Sequence, residues 1–284
     1  MTPRTLIAIV GPTASGKTEL ALQIAKMHNG EIICADSRTV YRGMDLGTAK
    51  PTKAERASVP HHLLDAVDPG QVFSVADFQR LAARAIKGIQ KRRRLPVVVG
   101  GSGLYIDSLL YGFALRPLGT EQREDLSKRS DDELRWMLDD KGLVLNPSDR
   151  LNRRRLERAI GSGLTVQQPR ILPQNYHMIG LNPGIKLLEQ RIAERTRQWF
   201  EKNILEETDA LVTTFGLVEP LNTPPYREII ENAVKDDDPA AVQDLINLHL
   251  RQLAKRQLTW FKRNLDIQWS ASPEEAIEII KKLF

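Results

Sequence analysis

Residues Gly11-Pro12-Thr13-Ala14-Ser15-Gly16-Lys17-Thr18 set two glycines, a lysine and a hydroxyl at the spacing G-x-x-x-x-G-K-T. That spacing is suited to holding phosphate. The glycines let backbone N–H groups turn toward phosphate oxygens, and a following helix adds its positive end. Lys17 supplies a point charge, and the Thr18 hydroxyl can hold Mg2+. A nucleotide hydrolase normally carries a further acid at the end of a neighbouring hydrophobic strand to hold the metal. Val97-Val98-Val99 is such a run, but it leads into Gly100-Gly101-Ser102 with no carboxylate. The acid close behind a strand in this half of the chain is Asp36, after Ile32-Ile33-Cys34-Ala35. In a parallel sheet, Asp36 and Ser102 both fall at the carboxyl edge, beside the phosphate loop.

Such residues need strands that end together. Thr5 to Val10 reads as a short buried strand, and the helical pattern after the loop runs to about Met27. Glu31 to Ala35, Pro96 to Val99 and Tyr176 to Leu181 read as further strands, and Ser74 to Gln90 as a helix. This alternation implies an α/β fold: a P-loop NTPase-like parallel sheet flanked by helices. Residues 113–175 are charged, helical and broken by Pro and Gly, and read as a mainly helical insertion in a core of 1–112 and 176–284. From about Ile185 the pattern is mostly helix, with a long helix from about Ala240 to Arg263. The 284 residues, 41% hydrophobic, are enough for a sizeable core. A net charge of +5 favours a polyanionic partner. A single cysteine, Cys34, excludes an intramolecular disulfide and fits a reducing cytoplasm. The apolar stretch Leu6 to Val10 stops at Gly11-Pro12, too short for a signal or membrane span, so neither export nor a membrane is expected.

Further blocks carry a resemblance. Ala35-Asp36-Ser37, Val40-Tyr41-Arg42-Gly43-Met44-Asp45, Gly47-Thr48-Ala49-Lys50-Pro51 and Pro60-His61-His62-Leu63 with Asp65 follow the phosphate loop in order. They are joined by Val99-Gly100-Gly101-Ser102-Gly103-Leu104-Tyr105 and Ala254-Lys255-Arg256-Gln257-Leu258-Thr259-Trp260-Phe261. With these blocks the chain resembles the tRNA dimethylallyltransferases. The resemblance implies that the P-loop, Gly11 to Thr18, holds the diphosphate of dimethylallyl diphosphate rather than ATP. It implies a target adenine just 3′ of the anticodon, flipped into a channel, with the anticodon stem-loop of tRNA as partner and Mg2+ as cofactor. Asp36 would be the base at the adenine amine, with Lys17 and the loop amides receiving the leaving group's charge. Ser102 stands where the family usually has Thr and keeps the hydroxyl. Arg227, in Tyr226-Arg227-Glu228, matches a basic position that contacts phosphate. Asp36, Ser37, Arg38, Thr39 and Ser102 would meet the target nucleotide, Arg38-Thr39 standing where the family usually has Met-Gln. The protein is expected to act as a monomer.

Basic surfaces fit the same partner. At 100° per residue, Arg251, Lys255 and Lys262 share one line of the long C-terminal helix, with Arg256 and Arg263 on a second. Leu258, Phe261 and Leu265 are expected to face the core. Matching the family block favours phosphate contact by Lys255 and Arg256 over a merely solvated face. Arg150, Arg154 and Arg158 are expected on one side of an insertion helix, and the run Arg154-Arg155-Leu156-Glu157-Arg158 matches a tRNA-contacting segment. Pairing with Asp149, Glu157 and other local acids is the competing reading. Arg123 is a further tRNA-contact candidate. Lys91 to Arg94 complement a helix dipole, and His61-His62 lack the neighbours of a metal site. Trp136, Trp199, Trp260 and Trp269 read as core or interface, and Tyr105 as packing. The rival functions are a small-molecule P-loop kinase, which would turn over ATP, a nucleotide-sensing RNA-binding protein without chemistry, and a transferase acting on free adenine nucleotides.

Overall fold

A computed structural model of the chain describes residues 5–112, 125–143, 145, 147–162, 175–233 and 238–284. The chain divides into two compact units, one of Met1–Leu110 with Leu172–Phe284, the other Tyr111–Ile171. In the larger unit, β1 (Leu6–Val10) is buried at every residue, as befits a central parallel strand covered on both faces. The other strands are β2 (Gly30–Cys34), β3 (His61–His62), β4 (Leu95–Gly100), β5 (Tyr176–Leu181) and β6 (Ile267–Ser270). They form a six-stranded sheet in the order β3-β2-β4-β1-β5-β6, with every pair parallel. β4 lies between β1 and β2, so the segments leaving all of these strands emerge side by side at the carboxyl edge. Those segments begin at Gly11, Ala35 and Gly101.

Helix α1 (Lys17–Met27) buries Leu20, Ala21 and Ile24 against Ile7, Ile9, Val97 and Ile179. The helix α2 (Lys53–Ser58) starts from a capping box between Thr52 and Glu55. Another such box, Ser74 with Asp77, opens α3 (Val75–Lys91), and α4 (Gly103–Tyr111) follows β4. The smaller unit contains α5 (Asp131–Asp140), α6 (Pro147–Arg150) and α7 (Arg153–Ser162) around Leu126, Leu134, Leu138, Leu156 and Ile160. The larger unit resumes with α8 (Ile185–Glu201), α9 (Ile204–Phe215), α10 (Tyr226–Ala233), α11 (Pro239–Phe261) and α12 (Pro273–Lys281). A second core joins Val40, Tyr41 and Met44 of the loop after β2 to Trp199, Leu211, Tyr226, Ile246 and Ala254 of α8 to α11.

Several expectations need correction. Helix α11 stops at Phe261, so Phe261 is buried while Leu265, beyond the helix end, is 95% exposed. Arg150 does not share a helix with Arg154 and Arg158, because Asn152 starts a new one by accepting a hydrogen bond from the Arg155 amide. Leu156 is fully buried in the core of the smaller unit, so its side chain is not available to RNA. Trp136 is 68% exposed, whereas Trp199 is buried. Tyr105 packs as expected, stacked on Phe78.

Candidate active site

The phosphate loop wraps into the N-terminus of α1. Gly16 caps that helix at φ 94°, a left-handed conformation that costs glycine nothing, and Ala14 also lies at positive φ. Lys17 Nζ donates to the loop's own Pro12 carbonyl at 2.9 Å. Burial pushes the Lys17 ammonium down to about 8, against the opposing pull of the Asp36 charge and with a further push from Arg195. Ser15 Oγ is buried with no hydrogen-bond partner among the described residues.

The facing wall is the turn after β2. Asp36 Oδ1 accepts the amides of Arg38 at 2.8 Å and Thr39 at 3.4 Å, which closes a tight turn around the carboxylate. Ser102 Oγ accepts the Ser37 amide at 3.0 Å, tying the loop after β4 to that turn. A cavity of about 140 Å³ lies between, lined by Thr13, Lys17, Thr18, Asp36, Arg38, Thr39, Gly100, Arg195, Trp199 and Gln257 among others. Thr39 Oγ1 is a second buried hydroxyl without a partner among the described residues. The guanidinium of Arg38 is held end-on by both Glu219 carboxylate oxygens, at 3.0 and 3.2 Å. Neither Ser102 nor Arg227 lines the cavity.

Arg227 lies outside that lining. Its guanidinium pairs with the fully buried Glu228 and meets His249, and that acid directly beside it in sequence claims the charge. Arg195 of α8 faces the phosphate loop, its Nη1 donating to Thr13 Oγ1 at 3.0 Å. Burial pushes the Arg195 guanidinium below its ordinary value. One helical turn earlier, Arg191 donates to the Ser15 carbonyl at 2.9 Å. Neither arginine was singled out from sequence. Their available signal was two cations four apart on the helix face that buries Leu188, Ile192 and Trp199. Gln257 was also missed, although it sits inside the block that supplied Lys255 and Arg256.

The expected RNA contacts fall in both units. Lys255 and Arg256 are exposed on α11, and Arg154 and Arg158 are exposed on α7. Arg155 pairs with Asp149, and Glu157 with Arg153. Arg123 lies outside the described residues. Arg92 and Arg94 are held by Glu31 rather than only facing a helix end. His62 meets Glu31 as well, while His61 bonds the Val59 carbonyl. No cluster of three or more His, Cys, Asp or Glu that could hold a metal occurs among the described residues.

A P-loop at the carboxyl edge of a parallel sheet, faced by the Asp36 carboxylate and by arginines of α8, defines a P-loop α/β protein with an anion site beside a candidate base. The model of the IPP transferase family matches residues 39–264, and the chain belongs to that family. A tRNA dimethylallyltransferase of Exiguobacterium sp. is 37% identical over 98% of this chain and 93% of its own length. The crystal structure of a full-length tRNA isopentenylpyrophosphate transferase from Bacillus halodurans superposes with a TM-score of 0.75 at 34% identity, over 99% of this chain and 95% of that one. A eukaryotic dimethylallyltransferase acting on tRNA shares the fold, with a TM-score of 0.84 at 22% identity over 99% of this chain and 79% of its own.

Proposed function

We propose that this protein transfers a dimethylallyl group from dimethylallyl diphosphate to N6 of the adenine 3′ of the anticodon in tRNA, releasing diphosphate. The observation that carries this reading is the single cavity shared by Lys17, Thr18, Arg195 and Asp36. Cations and loop amides on one side suit a leaving diphosphate, and a carboxylate on the other suits an amine that must lose a proton. In the reaction the N6–C1 bond forms as the C1–O bond to diphosphate breaks. The diphosphate keeps the bonding electrons, and Asp36 takes the N6 proton. Lys17 and Arg195 bind the departing charge, and the unpartnered Thr39 hydroxyl, which lines the same cavity, is free to bond the base. The target base leaves its stack at an expense of roughly a few kcal/mol, which these contacts offset.

A magnesium ion fits this donor set. With no protein-only cluster among the described residues, it would be held by the Thr18 hydroxyl together with diphosphate oxygens, as Mg2+ commonly is. There it would neutralise charge on the leaving group. No helix among the described residues is long and apolar enough to cross a membrane. We read the protein as a cytoplasmic monomer.

The test is incubation of the protein and Mg2+ with dimethylallyl diphosphate and unmodified tRNA, followed by nucleoside mass analysis. One dimethylallyl group on the adenine 3′ of the anticodon is expected. Asp36→Ala is expected to lower transfer by about 100-fold or more while still binding diphosphate. Consumption of ATP with no prenylated nucleoside would overturn the reading in favour of a kinase, and an unimpaired Asp36→Ala would remove Asp36 as the base.

A further inference from the structure

Gln257 joins the two halves of the site with one side chain. Its Oε1 accepts the Thr13 amide of the phosphate loop at 2.7 Å, and its Nε2 donates to the Gly101 carbonyl of the loop after β4 at 3.1 Å. Each bond then leads on to a functional group. Thr13 is the residue whose hydroxyl receives Arg195, while Gly101 precedes Ser102, whose hydroxyl accepts the amide next to Asp36. The contact is close enough to restrict residue 101, since a Cβ on Gly101 would overlap the Gln257 amide nitrogen. The helix that carries Gln257 is itself fixed, because Trp260 Nε1 donates to Asp107 of α4 at 2.9 Å.

We propose that Gln257 is a positioning residue that sets the spacing between the diphosphate loop and the Asp36 turn, so that the carbon being transferred and the base that deprotonates its acceptor are held in register. The inference rests on the transferase reading above. Transfer depends steeply on this spacing, because reacting atoms must be held near 3 to 3.5 Å, and a displacement of about 1 Å can lower the rate roughly 100-fold. Binding of diphosphate depends on it far less, since the loop amides, Lys17 and Arg195 all remain.

The experiment compares wild type, Gln257→Met and Gly101→Ala, the last being a way to displace the Gln257 amide without altering it. Each is assayed for transfer at saturating tRNA and dimethylallyl diphosphate, for binding of inorganic diphosphate by calorimetry, and for thermal midpoint. Both variants are expected to lose about 30- to 100-fold in kcat, with diphosphate affinity within about threefold of wild type. The double variant should be little worse than either single one, because both break the same bridge. A kcat within about twofold of wild type in Gln257→Met would overturn the inference. So would parallel losses of kcat, diphosphate affinity and thermal midpoint, which would mark a merely structural role. Wild type that transfers beside an unaffected Gln257→Met sinks only the role of Gln257, whereas wild type with no transfer at all sinks the transferase reading and this inference together.

Discussion

Lys17 is a cation that the loop hosts at a cost, because burial pulls its proton off at about pH 8 instead of 10.5. Binding and stability should therefore respond to alkali in opposite directions. As pH rises through about 8, the unliganded protein loses the Lys17 charge, and its affinity for inorganic diphosphate should fall. Over the interval from about 8 to 10.5 the unfolded chain holds this proton more tightly than the folded one, so Lys17 makes stability rise with pH. Diphosphate titrations across pH 7 to 10 beside thermal midpoints distinguish loss of charge from unfolding, and Lys17→Met should flatten this limb of the affinity profile. An affinity profile identical in wild type and Lys17→Met would contradict the assignment. Lys17 and Asp36 were legible because the phosphate loop is a local pattern and the acid follows its strand directly. Arg195 and Gln257 were not, because their roles depend on which helix faces meet the loop. Arg227 has its guanidinium paired by its own sequence neighbour, Glu228.

Among the elements, β1 and β4 read most clearly, buried throughout and built of apolar runs that need no partner to be recognised. The strand β3 has two residues and β6 has four, too short for periodicity to report. What holds β3 in place is a polar anchor. Glu31 of β2 is buried at the start of its strand, bonded to Arg92 at 2.9 and 2.6 Å and to His62 of β3 at 2.7 Å. Its carboxyl is held down at about 2, chiefly by the hydrogen bonds from Arg92, which together with His62 outweigh the effect of burial. The folded value lies below the ordinary 4.5, so this contribution is complete above 4.5 and is lost as pH falls toward 2. Glu31→Gln should cost on the order of 3 kcal/mol in denaturant unfolding at pH 7 and less at pH 3. An equal cost at both pH values would mean that packing, not charge, is what the glutamate supplies. Two residues of the basic run, Arg92 and Arg94, thus find their use in this anchor.

Across the whole molecule, a net charge of +5 says little until local pairing is taken into account. In the smaller unit, Arg150 is held by Asp139, Arg153 by Asp131 and Glu157, and Arg155 by Asp149. Arg154 is exposed and has no partner among the described residues. On α11 of the larger unit Arg251, Lys255 and Arg256 are all exposed, as is Lys262 just past its end. A polyanion should draw on the unpaired cations first, since a paired arginine must give up its carboxylate to reach a phosphate. Arg154→Ala and Lys255→Ala should therefore weaken tRNA binding and each lower the slope of log affinity against log salt by about one. The loss should be uniform across anticodon-loop sequences, because phosphate contacts carry no base information. Arg155→Ala should change the slope less, and Arg153→Ala should act mainly on the stability of its own unit, where its guanidinium also bonds the carbonyls of Leu126, Ser127 and Arg129. Diphosphate affinity should stay at the wild-type value in all four variants, because none of these side chains lines the cavity. Binding isotherms at several salt concentrations decide the matter: an unchanged slope in Arg154→Ala and Lys255→Ala would place the RNA on other surfaces of the protein.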